Sequence, residues 1–219
     1  MGRIPIAREG FPFILSFLAG ACLLIPIPMT VCRVLGAILL ILALFSTYFF
    51  RDPAQAVPQD PGAILAPGDG RVLEVAEEWS PELGGRAKVI RIFLSIFDIH
   101  VQRSPISGII GDIRYITGKF LDARDPRASF ENEQNLIVIE QSGGRVVVRQ
   151  IAGFIARRIA CWVRSGQPVD AGERIGLIRF GSQVDLAVPE DSVICVSKGE
   201  RVIGGASVVA WRKRAVPPA

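Results

Sequence analysis

The chain has 219 residues, half of them apolar and 21% charged, with a mean hydropathy of +0.39. This composition excludes a disordered chain, and the length suits one domain or one domain with an appendage. The net charge is +4, but beyond residue 50 only 22 basic side chains face 20 acidic ones, so no nucleic-acid footprint is present and no nucleic-acid partner is expected.

The apolar excess lies at the start. Residues 10–50 contain a single charge, Arg33. Residues 10–32 are 23 uncharged positions and residues 34–50 another 17, with Pro26 and Pro28 between them. Proline ends a helix and biases the residue before it to extended backbone, so the pattern predicts a helical hairpin over residues 1–50, bent near Pro26 to Arg33. The second run would reach about 25 Å, slightly short of a ~30 Å hydrocarbon core. Arg3, Arg8 and Arg51 flank the hairpin against Arg33 in the bend, which by the positive-inside rule predicts a cell-membrane protein with its body on the cytoplasmic face. A re-entrant or interfacial hairpin fits the same residues. A cleaved signal peptide is disfavoured by the second apolar run, and a buried soluble helix pair by the lack of a polar face.

After Arg51-Asp52-Pro53 the pattern becomes turn residues and alternation of period two. Gly70 to Ala76, Lys88 to Ile96, Leu136 to Ile139, Val146 to Arg149, Ile175 to Phe180, Val184 to Val188 and Val193 to Val196 read as strands, punctuated by Gly84-Gly85, Ser142-Gly143-Gly144 and Gly204-Gly205. One short helix is expected over Phe154 to Val163. Residues 51–219 thus read as a mainly β body. Cys22, Cys32, Cys161 and Cys195 show no Cys-x-x-Cys spacing, so neither a zinc site nor a disulfide framework is indicated and a reducing compartment fits. Glycine-rich nucleotide loops and His-Glu-x-x-His are absent from the sequence.

Three positions carry possible chemistry. His100 is the only histidine, hence the simplest base near neutral pH, although a lone histidine at a strand end also serves structural roles. With no second imidazole, no histidine-rich metal site is expected. Gly181-Ser182 is the only Gly-Ser pair. It reads as a turn or bulge, or as a site where a serine hydroxyl attacks the unshielded carbonyl of the preceding glycine and replaces the peptide bond by an ester. Asp69, between Gly68 and Gly70, reads as an Asx-type turn or as the carboxylate that orients an imidazole.

The motifs Phe49-Phe50-Arg51-Asp52-Pro53, Ala66-Pro67-Gly68-Asp69-Gly70, Phe97-Asp98-Ile99-His100-Val101-Gln102-Arg103-Ser104-Pro105, Phe130-Glu131-Asn132-Glu133-Gln134-Asn135, Ile155-Ala156-Arg157-Arg158-Ile159 and Ile178-Arg179-Phe180-Gly181-Ser182-Gln183-Val184-Asp185 follow one another over about residues 49–190. In that order they resemble the successive motifs of phosphatidylserine decarboxylase proenzymes of the short type. The resemblance implies a mainly β, barrel-sandwich-like body with a few short helices, akin to biotinyl and lipoyl carriers, behind an N-terminal apolar α-helical hairpin. It implies a pyruvoyl-dependent enzyme that makes its cofactor from Ser182, with no metal and no pyridoxal phosphate. Ser182 would attack the Gly181 carbonyl with His100 as base and Asp69 holding the imidazole. The products would be a β chain of residues 1–181 and an α chain of residues 182–219, paired as a heterodimer that could oligomerise further. The ketone would then form a Schiff base with the amine of phosphatidylserine and accept the electrons released with carbon dioxide, giving phosphatidylethanolamine. Arg103, Arg157, Arg158 and Arg179 are candidates for the headgroup phosphate or carboxylate, Arg103 and Arg179 foremost.

Two departures stand out. Longer bacterial members carry two histidines where this chain has His100 alone, and Leu-Gly-Ser-Thr where it has Phe180-Gly181-Ser182-Gln183. Two rival readings accompany the resemblance: the same chemistry on another aminophospholipid such as archaetidylserine, separable by lipid analysis, and a membrane-tethered β-domain that binds or carries a partner, with Gly181-Ser182 a plain turn.

Overall fold

A computed structural model describes residues 5–60, 62–154, 158–179 and 182–213. The chain forms two compact units, Met1–Ala54 and Gln55–Ala219.

The first unit is the apolar hairpin. A 3-10 turn at Arg8–Gly10 leads into α1 (Phe11–Leu24), a bend follows, and α2 runs over Thr30–Phe49. Gly36 permits the close helix packing: a Cβ there would stand 2.7 Å from Ile25 Cγ1. The hairpin's two ends are tied side by side by Ala7 N–H to Phe50 O (2.8 Å), Asp52 N–H to Pro5 O (2.7 Å) and the bridge Ile6↔Arg51. Leu15, Leu23, Val31, Ile41 and Leu44 remain exposed.

The helix boundaries differ from the expected ones. The first run of 23 positions yields a helix of only 14 residues, about 21 Å, whereas α2 has 20 residues and spans about 30 Å. Arg33 lies in the first turn of α2 and not in the bend. The physical reason is that Pro26 and Pro28 confine the non-helical stretch to a few residues, Met29 is already extended, and its carbonyl accepts from Arg33 N–H (3.1 Å), so helix resumes at Thr30. Among the described residues, α2 is the one helix long and apolar enough to cross a bilayer.

The second unit is mainly β. In chain order its elements are β1 (Ala63–Leu65), β2 (Gly70–Ser80), β3 (Gly85–Leu94), β4 (Val101–Arg103), β5 (Gly108–Ile116), α3 (Ala128–Glu131), β6 (Gln134–Gln141), β7 (Gly144–Ile151), β8 (Ile159–Cys161), β9 (Pro168–Val169), β10 (Arg174–Ile178), β11 (Ser182–Pro189), β12 (Val193–Ile194), β13 (Arg201–Val202) and β14 (Val208–Trp211). An eight-stranded antiparallel sheet of order β13-β2-β3-β11-β7-β6-β5-β9 is accompanied by two three-stranded sheets, β1-β14-β12 and β4-β10-β8. Alternation places Ile90, Ile92, Leu94, Ile137, Ile139, Val146, Val148, Val184, Leu186 and Val188 on one face of the large sheet, in a core shared with Ile64, Ile175 and Val209 of the small sheets. The other face carries a smaller cluster of Ala87, Val89, Leu136, Val138, Val147 and Ala187.

The helix expected over Phe154 to Val163 is corrected. Residues 155–157 lie outside the described residues, and Ile159–Cys161 forms β8, paired antiparallel with β10 (Gly176↔Cys161, Ile178↔Ile159). Local helix preference of Ala and Arg yields here to the free edge of β10, whose backbone groups need partners. The expected strand Val193 to Val196 shortens to Val193–Ile194.

Candidate active site

The segment before β4 is shaped by Asp98. Its Oδ2 accepts from the N–H and Oγ–H of Ser95, both at 2.8 Å, and its Oδ1 accepts from Arg201 Nη2 at 2.5 Å. This closed turn aims the Asp98 carbonyl at the imidazole two residues on: His100 Nδ1 lies 3.0 Å from Asp98 O. A carbonyl can only accept, so Nδ1 carries the proton and Nε2 is the basic nitrogen of the neutral ring. His100 is fully buried, and its own carbonyl accepts from Ile178 N–H at 3.3 Å, the last residue of β10.

Four residues past Ile178 the chain re-enters the large sheet at Ser182, the first residue of β11, opposite Leu94 of β3. Ser182 is fully buried and its Oγ has no hydrogen-bond partner among the described residues. Phe180 and Gly181, the latter expected as the cleavage partner, lie outside the described residues.

Asp69 is half-buried in the turn between β1 and β2, where its Oδ1 accepts from Gly204 N–H at 2.9 Å. That turn adjoins β4, which begins just after His100, and β11, which begins at Ser182. Pro67 O accepts from Arg103 N–H (2.8 Å), and a Cβ on Gly68 would stand 3.0 Å from Val184 Cγ1 and 3.5 Å from Leu94 Cδ2. His100, Ser182 and Asp69 therefore sit on neighbouring segments at the junction of β4, β10 and β11.

The arginines differ in their engagement. Arg103 is buried and its Nη1 donates to Gly172 O at 3.1 Å. Arg179 is half-buried, its backbone N–H on Arg158 O (3.1 Å), and Arg158 is exposed. Arg157 lies outside the described residues. No group of three or more potential metal ligands occurs among the described residues.

Asp185 was singled out in the sequence only as the end of a motif. It is buried on the face of β11 opposite the main core, where burial pushes its carboxyl up to about 6 against the opposing pull of a Gln183 hydrogen bond (2.6 Å) and of Arg91 and Arg149. Gln183 Nε2 and Arg91 Nε also donate to Ser129 Oγ of α3 (2.6 and 3.0 Å), and Arg91 binds Glu74 and Glu78. The available signal was one charge within the apolar run Val184-Asp185-Leu186.

The family model described as phosphatidylserine decarboxylase matches residues 42–210. The phosphatidylserine decarboxylase proenzyme of Citrifermentans bemidjiense is 43% identical over 209 residues, 94% of this chain and 95% of that protein. The proenzyme of the same name from Symbiobacterium thermophilum is 44% identical over 211 residues, 95% and 96% of the two chains. That of Wolbachia pipientis wMel is 45% identical over 211 residues, 94% and 90%.

Proposed function

The chain belongs to the phosphatidylserine decarboxylase family of carboxy-lyases, and on that premise we propose that it converts phosphatidylserine to phosphatidylethanolamine after cutting itself between Gly181 and Ser182. The observation that carries this reading is the Ser182 hydroxyl, wholly buried and without a hydrogen-bond partner among the described residues. An unpaired buried hydroxyl costs about 1–3 kcal/mol, a cost that chemistry at that atom would justify. It also means that losing the hydroxyl breaks no hydrogen bond to the described residues, which fits conversion of position 182 to a pyruvoyl group.

In this reading Ser182 Oγ attacks the Gly181 carbonyl carbon while its proton passes to His100 Nε2. The C–N bond breaks, the departing nitrogen takes the proton, and an ester joins the two halves. Removal of the 182 Cα proton expels the Gly181 carboxylate and leaves dehydroalanine, and water with loss of ammonia gives the ketoacyl terminus. Asp69 provides the negative charge that favours the imidazolium. A pyruvoyl group formed at position 182 would supply the electron sink for decarboxylation of the substrate amino acid headgroup. Arg103, held by Nη1 on Gly172 O, and Arg179 are assigned to the headgroup phosphate and carboxylate. The apolar hairpin, with Arg8 and Arg51 at its tied ends, holds the enzyme at the cytoplasmic face, where substrate arrives by lateral diffusion.

The mass of the purified protein tests the reading. Two chains are expected, residues 1–181 and 182–219, the shorter blocked by a ketoacyl group that reacts with hydrazines. Ser182→Ala and His100→Ala should remain single and inactive. An intact chain that decarboxylates phosphatidylserine would overturn the mechanism, and normal processing of His100→Ala would remove His100 from it.

A further inference from the structure

Three buried amides form a hydrogen-bonded series that ends on the backbone carbonyl of His100. Gln102 Nε2 donates to His100 O (2.8 Å), Gln150 Nε2 donates to Gln102 Oε1 (2.9 Å), and Asn135 Nδ2 donates to Gln150 Oε1 (2.8 Å). Gln102 and Gln150 are fully buried and Asn135 nearly so. The polarity of this chain is dictated from one end. The His100 carbonyl can only accept, so Gln102 must turn its NH2 toward it and its oxygen toward Gln150. Gln150 must then present its own NH2, and its oxygen is left for Asn135.

The chain also links two sheets. Gln102 lies on β4, in the small sheet that follows His100. Gln150 on β7 and Asn135 on β6 are cross-strand partners in the large sheet. Gln150 is at the same time opposite Val184 of β11, two residues from Ser182. Its amide passes over Gly176 of β10, where a Cβ would stand 2.6 Å from Nε2, so only glycine leaves the passage open.

We propose that Gln102, Gln150 and Asn135 are positioning residues that set the place of His100 relative to Ser182 for the self-cleavage step, an inference that rests on His100 being the base. The imidazole is held by the Asp98 carbonyl of its own turn, so the direction of Nε2 follows the backbone of residues 98–100. The amide chain fixes that backbone from the strand beside Ser182. Base and nucleophile are thereby referred to the same sheet, and hydrogen bonds in series polarise and stiffen one another.

Gln150→Glu tests this, because it keeps shape and reverses one donor. Ionised, the introduced carboxylate cannot donate to Gln102 Oε1; protonated, it can, and it still accepts from Asn135. Full-length proenzyme made by cell-free synthesis with lipid vesicles is followed by mass for appearance of the 182–219 chain. Processing by the variant, relative to unsubstituted protein at the same pH, should be about tenfold slower at about pH 8.5 and within about twofold at about pH 6. A purely electrostatic effect would act the other way, since a carboxylate near His100 favours the imidazolium. Equal relative rates at the two pH values, fast or slow, would overturn the relay, and in the Ser182→Ala background the variant, though its unfolding midpoint is lowered by the buried carboxyl, should remain folded at the assay temperature at both pH values. His100→Ala run alongside separates the two readings. If it processes normally, the base assignment fails; if it is inert while Gln150→Glu is indifferent to pH, only the relay fails.

Discussion

Asp185 stands three residues from Ser182, on the opposite face of the same strand, and its carboxyl is pushed up to about 6 by burial, more than Arg91 and Arg149 lower it. The folded state therefore holds a proton there between about pH 4 and pH 6 that the unfolded chain has released, so this residue makes stability fall as pH rises through that window. Asp185→Asn lacks the proton. In the Ser182→Ala background, denaturant unfolding in detergent should show the Asn variant gaining on its parent by on the order of 2 kcal/mol between about pH 4.5 and pH 7.5. An unchanged difference would mean that Asp185 titrates normally. At this scale the sequence exposes residues that are chemically singular: one histidine, one Gly-Ser pair. It does not expose Gln102, Gln150 or Asn135, because an amide in a strand looks like any solvated polar residue until the fold buries it against two others.

Elements were legible in proportion to their length and regularity. The long alternations that became β2, β3, β6, β7 and β11 were readable, whereas β8, β9 and β13 are two- or three-residue strands defined by partners far along the chain. The residues of β8 carry no strand pattern of their own. The hairpin was readable from composition, but the unequal lengths of its helices required the geometry of the bend. That inequality leaves α2 as the helix, among the described residues, long and apolar enough to reach across the hydrocarbon. Ile41 is well exposed near the middle of α2, so it faces lipid if α2 is inserted. Ile41→Arg should then cost about 2.5–3.5 kcal/mol of insertion and increase the fraction released from membranes by alkaline carbonate. Release equal to that of the unsubstituted protein would place Ile41 outside the hydrocarbon.

For the whole molecule, cleavage before Ser182 would separate the chain without dividing the fold. The 182–219 piece contributes β11, which pairs along all eight residues with β3 and over five residues with β7, and also β13 on β2 and β14 on β1. Val184, Leu186 and Val188 are wholly buried in the main core, each contributing about 1.5–3 kcal/mol. The ion pair between Arg201 and Asp98 joins the same two pieces, but the Arg201 side chain is 68% exposed, so screening leaves it little weight. The two chains should therefore co-elute in equal amounts from gel filtration in detergent even at about 1 M salt, and part only in denaturant. Dissociation of the short chain in salt alone would show that the pairing is electrostatic. Since β11 needs both neighbours to bury its faces, a 38-residue piece released early would have no sheet to join. Self-cleavage must then follow folding, and processed protein separated in denaturant should recover activity far less completely than Ser182→Ala recovers its fold after the same treatment.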